Sequence, residues 1–246
     1  DTNSQEMIND FFEKVYVVSL SRATDRRSYI TDLLSSEDIN FEFFEAFDGQ
    51  ESFLTEDSLE SFVSENFWKD PGGWSPSRGQ IGCWMSHVNI WKKMVEDDIG
   101  SCLILEDDVT FGVENPNETF RAYLESLPKD WNIFMLGFCN YNGFQNLNEN
   151  IVKPRIPACT HAYSLKKKSA EILLDHYHPM RGALDMFTGH IFFANEDESS
   201  SNLYKELHEG ESWSRQRNFQ SLKDLHSYAC HPAIFNQGGS NYSSTQ

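Results

Sequence analysis

Residues 102–105 read Cys-Leu-Ile-Leu, four apolar side chains in a row. Successive side chains of an extended chain point to opposite faces, so such a strand must be covered on both. Residues 15–20 (Val-Tyr-Val-Val-Ser-Leu), 132–136 and 161–165 have the same strand character. A further strand is expected over 41–47, closed by the turn pair Asp48-Gly49. Helical periodicity fills the intervals. Ser77 followed by Gln80 is a capping box, and Ile81, Trp84, Met85, Val88, Trp91 and Val95 follow at three- and four-residue steps. Thr24 is placed to cap a helix running to about Ser36, with Tyr29, Ile30, Leu33 and Leu34 on its apolar face. Helices also fit 55–66, 117–127 and 166–177. Residues 69–76 and the polar stretch 137–157 read as loops, the second lying over a site. A last strand fits 225–230, followed by Gln237-Gly238-Gly239-Ser240, the signal of a mobile tail. The pattern predicts an α/β fold: a mostly parallel central sheet, helices on both faces, and a less regular C-terminal region. One domain is expected over residues 1–246.

The buried strand runs straight into Glu106-Asp107-Asp108. Side chains at i and i+2 share a strand face, so Glu106 and Asp108 should point together and Asp107 away. Ligands of open α/β sheets bind at the carboxyl ends of strands. Two hard oxygen ligands there suit Mg²⁺ or Mn²⁺; a solvated acidic turn has the same spacing. The chain carries 38 acidic and 20 basic residues, a net −18. That balance excludes a nucleic-acid binder and a polybasic membrane anchor. It also means that a diphosphate could dock beside three carboxylates only with a cation between them. Residues 1–70 hold 17 of the acids and just 5 bases, and three of those bases are Arg22, Arg26 and Arg27. They sit just past the first strand. Arg22 and Arg26, four apart, can share a helix face and offer guanidinium forks to phosphate; pairing with the surrounding acids is the other reading, and the preferred one for Arg27.

The remaining candidates carry weaker signals. His87 lies within the capped helix, where a histidine is usually a core or supporting residue. Cys83 and His87 are four apart, but a nucleophilic pair lacks its orienting third group. Asp185, flanked by Leu184 and Met186, is either a tuned general base or a helix cap. The five cysteines are odd in number and form no CxxC pair, so neither a zinc site nor a disulfide framework is expected, and Cys83 and Cys102 read as buried thiols. No apolar run reaches membrane-spanning length, and the N-terminal residues show no signal peptide. Sequons occur at Asn117 and Asn241, a triplet common by chance. There is no GxGxxG after the first strand, and no GxxxxGK[ST], GxSxG or HExxH.

Four stretches in order resemble glycosyltransferase family 25. Residues 15–30 resemble its opening strand and Asn-Leu-x-Arg-x-x-Asp-Arg element: Leu20, Arg22, Asp25 and Arg26 fit, and Ser19 stands where Asn is usual. Residues 41–49 resemble its second strand and Asp-Gly turn. Residues 78–98 followed by 102–111 form the strongest block, and 128–137 with 160–174 complete the set. The resemblance implies a GT-A-like fold with a nucleotide-sugar half over about 15–137 and an acceptor half over about 138–246. It implies metal-dependent, inverting transfer of a hexose, galactose or glucose, from a UDP-sugar. The acceptor would be a hydroxyl on a glycan or on hydroxylysine of a collagen-like protein. Asp108 and Glu106 would hold Mn²⁺ or Mg²⁺, with His231 as third ligand and His190 behind it. Ser19, Leu20, Arg22, Arg26, Glu106, Asp107 and His161 would bind the donor, and Asp185 would be the base. Cys83, Ser86 and His87 match the family's helix. Residues 180–225 match poorly, and 196–201 look like an insertion. Loops 71–76 and 137–157 are expected to close over donor or acceptor. The setting would be cytoplasmic or membrane-peripheral in a bacterium or virus, or the secretory lumen as part of a longer chain. A non-catalytic nucleotide-sugar or glycan-binding module is the alternative, and a metal-dependent phosphohydrolase comes third.

Overall fold

The computed structural model describes residues 7–51, 77–178, 180, 182–192 and 219–238. The first half runs α1 (Ile8–Phe11), β1 (Lys14–Ser19), α2 (Thr24–Ser35), β2 (Glu42–Glu45), α3 (Arg78–Glu96), β3 (Ser101–Glu106), β4 (Val109–Phe111) and α4 (Pro116–Ser126). The second runs β5 (Ile133–Cys139), β6 (Phe144–Asn146), β7 (Ile151–Pro154), β8 (Ala158–Lys166), α5 (Lys167–His176) and α6 (Leu184–Phe192). A 3-10 helix (Phe219–Asp224), β9 (Ser227–Cys230) and β10 (Phe235–Gln237) close the described chain.

Eight strands form one sheet in the order β2-β1-β3-β8-β5-β9-β7-β6. β1 is parallel to β2 and β3, and β5 to β9. β8 is antiparallel to both β3 and β5, and β7 to β9 and β6. Six of the eight strands therefore run the same way, as expected of a mostly parallel sheet. β4 and β10 pair separately, antiparallel. Both faces are buried, as the unbroken apolar runs demand. Tyr16, Val18, Ile104, Met135 and Tyr163 pack against Trp84, Val88 and Trp91 of α3 and Leu173 of α5. Their strand neighbours Val17, Leu103, Leu105, Phe134 and Leu136 pack against Ile8 of α1, Ile30 and Leu34 of α2 and Phe120 of α4.

The capping box at α3 forms in both directions: Gln80 N–H donates to Ser77 Oγ at 3.1 Å and Ser77 N–H to Gln80 Oε1 at 2.9 Å. Other expectations are corrected. Thr24 is the first helical residue rather than the cap, Ala23 holds the cap position, and no side chain caps that end. The stretch 137–157 is not one loop: residues 137–139 extend β5, and β6 and β7 form a hairpin on the sheet edge. Hairpin pairing satisfies backbone groups that an Asn-rich composition suggested were left to solvent. Gln237-Gly238 is pinned rather than mobile: Gln237 pairs with Val109, and Gly238 N–H donates to Asp108 O at 2.8 Å. Cys139 and Cys159 form a disulfide, against the expectation of none. The antiparallel β5–β8 pairing brings these two strand ends together. The helix expected at 55–66, the loop at 69–76 and the insertion at 196–201 lie outside the described residues. No described helix is long and apolar enough to cross a membrane.

Candidate functional site

β1 and β3 lie side by side in parallel register, with Val18 opposite Glu106, so their carboxyl ends open onto one rim. A cleft of about 890 Å³ begins there. Its walls include Ser19, Arg22 and Arg26 from the β1–α2 turn, Asp48 after β2, Cys83 and His87 of α3, and the three acids. Two glycines allow this crowding. A Cβ on Gly82 would stand 2.7 Å from Phe47 O, so α3 can touch the loop carrying Asp48 only without one. A Cβ on Gly238 would stand 2.3 Å from Asp108 O, where β10 crosses the acid turn. Ser86 ties the first contact, accepting Phe47 N–H at 2.8 Å while donating to Gly82 O at 2.6 Å.

The acids meet different partners. Asp107 accepts from Ser19 Oγ at 2.7 Å and from Arg26 at 3.2 Å. Glu106 turns toward β8 and α3, accepting from Thr160 Oγ1 at 2.9 Å, with His87 Nε2 3.5 Å from the same oxygen. Burial pushes the Glu106 carboxyl up, but His87 and Thr160 outweigh it, and the group lies below its ordinary range. Asp108 is 8% exposed, and its Oδ1 is buried with no hydrogen-bond partner among the described residues. Burial, then Glu106, then Asp107 push its carboxyl up to about 7. Asp108 is thus able to hold a proton near neutrality.

The arginines are engaged as pairs. Arg22 grips Asp48 at 2.9 and 3.4 Å, which holds the Asp48 carboxyl below its ordinary range. Arg27 bonds Glu45 and Ser19 O, the pairing with nearby acids expected for it. Leu20 lines the cleft and its carbonyl accepts Ala23 N–H. Other expected residues lie off the cleft wall. His161 is buried, its Nε2 3.1 Å from Phe235 O. Asp185 opens α6 and accepts Cys159 N–H at 3.1 Å, close enough that it helps raise the Cys83 thiol after burial and Glu106. His231 does not converge on the acids. It sits at the end of β9, three strand spacings or about 14 Å from β3 in the sheet order, with its ring 4.7 Å from that of Phe144. His190 belongs to α6, and its side chain lies outside the described residues. Thr160 joins the site without a sequence signal of its own, while Asp48 and Gln237, read in the sequence as a turn and a tail, join it as cleft-lining residues from elements distant in the chain.

The sequence model of glycosyltransferase family 25 (LPS biosynthesis protein) matches residues 12–188. The chain belongs to glycosyltransferase family 25. Among the family's named members, procollagen galactosyltransferase 2 of Mus musculus is 29% identical over 132 residues, 51% of this chain and 21% of its own. The inactive glycosyltransferase 25 family member 3 of Homo sapiens is 30% identical over 136 residues, 51% of this chain and 22% of its own. The chain thus spans about a fifth of the length of these relatives. A crystal structure of a glycosyltransferase involved in glycosylation of the major capsid of PBCV-1 aligns over 89% of this chain and 92% of that one. Its identity is 11% and its TM-score 0.36.

Proposed function

We propose that this family 25 chain is a metal-dependent, inverting hexosyltransferase. It would move galactose or glucose from a UDP-sugar to a hydroxyl on a glycan or on hydroxylysine. The observation that carries this reading is Asp108 Oδ1, buried without a hydrogen-bond partner among the described residues, in a cleft that Glu106 and Asp107 also line. A buried, unpaired carboxylate oxygen is costly unless something compensates it. A divalent cation is the fitting compensation, because the donors are hard oxygens. Asp108 and Glu106 would hold Mn²⁺ or Mg²⁺, while Asp107 is occupied by Ser19 and Arg26. Such a cation supplies positive charge against a diphosphate leaving group.

The chain's own residues cover the remaining tasks. Arg22 and Arg26 line the cleft and offer guanidinium N–H groups to phosphate oxygens. Asp185 would take the acceptor hydroxyl's proton, its carboxylate oriented by the Cys159 N–H. Attack from the face opposite the leaving group inverts the anomeric centre. The second reading is a nucleotide-sugar-binding module without transfer, favoured by the relative named inactive. UDP release from UDP-galactose and UDP-glucose, measured with Mn²⁺ and a collagen or glycan acceptor, separates the two. Release that rises with acceptor and is lost in Asp108→Asn supports transfer. Binding of UDP-sugar without release assigns the module.

A further inference from the structure

The acid turn faces donor atoms that the reading above leaves unused. Cys83 Sγ, a ring nitrogen of His87 and a carboxylate oxygen of Glu106 lie within 4.8 Å of one another. His87 is 1% exposed, and its Nε2 has no hydrogen-bond partner among the described residues. That nitrogen is 3.5 Å from Glu106 Oε1. The separation is long for a hydrogen bond. It is close to the spacing of two ligands sharing a cation: two bonds of about 2.1 Å at a tetrahedral angle place their donor atoms roughly 3.4 Å apart.

The other ring nitrogen is arranged to match. Nδ1 is 2.7 Å from the Tyr163 hydroxyl, and Trp91 Nε1–H donates to the same oxygen at 3.1 Å. Trp91 uses one lone pair of the phenol oxygen, and the Nδ1–Tyr163 hydrogen bond can run in either direction, with Nδ1–H donating or with the phenol O–H donating. In the tautomer with Nδ1–H donating to Tyr163, the Nε2 lone pair is free for a cation shared with Glu106. A metal-ligating histidine characteristically donates its second N–H to an oxygen acceptor, most often a carboxylate, a backbone carbonyl or water; here the Tyr163 hydroxyl is placed to take that part.

We propose that His87 Nε2 and Cys83 Sγ bind the same cation as Glu106, giving the site a mixed nitrogen, sulfur and oxygen donor set. The thiol proton leaves to solvent as the sulfur–metal contact forms. This donor set selects a transition ion, in the order Zn²⁺, Co²⁺, Mn²⁺, over Mg²⁺. The inference rests on the acid turn being a cation site and names what else holds the ion. His87 takes the place expected of His231.

The test uses the full chain stripped with chelator and loaded with Co²⁺ or with Mn²⁺. The expected results are a thiolate-to-cobalt charge-transfer band and nitrogen modulation in the Mn²⁺ spin-echo spectrum. Neither signal should be lost under a 100-fold excess of Mg²⁺. Cys83→Ser should remove the cobalt band, and Tyr163→Phe should weaken Co²⁺ binding about 10- to 100-fold. Cation binding that depends on Asp108, shown with Asp108→Asn, but gives neither signal would overturn the inference and leave the proposed function standing. Absence of cation binding with or without UDP would overturn both. The two spectroscopic signals are read on the unsubstituted chain, so a variant that fails to fold does not decide the outcome.

Discussion

At the scale of single residues the site is a division of labour among neighbours in sequence. Glu106, Asp107 and Asp108 meet different partners because the strand ends at Glu106 and the chain turns. Burial and its acidic neighbours push the Asp108 carboxyl up, and this predicts a pH effect. Its carboxyl titrates at about 7 in the folded chain against about 3.9 unfolded. The folded state therefore binds the proton more tightly. The stabilisation this gives is complete below about pH 4 and is lost as pH rises through about 7. With chelator present, Asp108→Asn should be more stable than wild type at pH 8, by up to about 4 kcal/mol, with the advantage fading toward pH 4. Urea denaturation at the two pH values checks it, and an advantage independent of pH would show that the charge on Asp108 is not what costs stability.

At the scale of elements, α3 shapes one wall of the cleft by two devices. The capping box anchors its first turn, and Gly82 lets it press on the loop carrying Asp48. Ser77→Ala should cost about 1 kcal/mol, which for a chain of this size lowers Tm by about 2–4 °C. Gly82→Ala ought to destabilise the protein in spite of alanine's better helix propensity, because the methyl meets backbone at 2.7 Å. It should also weaken UDP binding, since Asp48 and its partner Arg22 ride on that contact. Calorimetric titration with UDP and Mn²⁺ would read this, and unaltered affinity would mean that the loop absorbs the methyl elsewhere.

At the scale of the molecule, the net charge of −18 and three carboxylates lining the cleft are the reason the proposed function needs a cation beside a diphosphate. UDP with Mn²⁺, at about 100 times its Kd, should raise stability by about 2.7 kcal/mol, seen as a Tm rise of about 5–10 °C. UDP with chelator should give little or none. An equal shift in both conditions would place the nucleotide on the arginines alone. Raising ionic strength should by itself raise the Tm of the unliganded chain, because screening relieves self-repulsion.

Some of this protein was written in short stretches of chain. The Ser77–Gln80 cap, the apolar seam of α3, the doubly covered strands and the acid triplet at a strand end all depend on residues within a turn or two of each other, and local sterics and burial decide them. What depended on strand order was settled only by tertiary structure. His231 lies three strands from the acids because β8 and β5 intervene before β9. Cys139 and Cys159, 20 residues apart, meet because β5 and β8 run antiparallel. His87 reaches Glu106, and Gln237 reaches the acid turn, by packing across the sheet rather than along the chain. Residue spacing carries the period of an element, but no local interaction encodes which elements lie side by side; the burial of both sheet faces selects that arrangement for the chain as a whole.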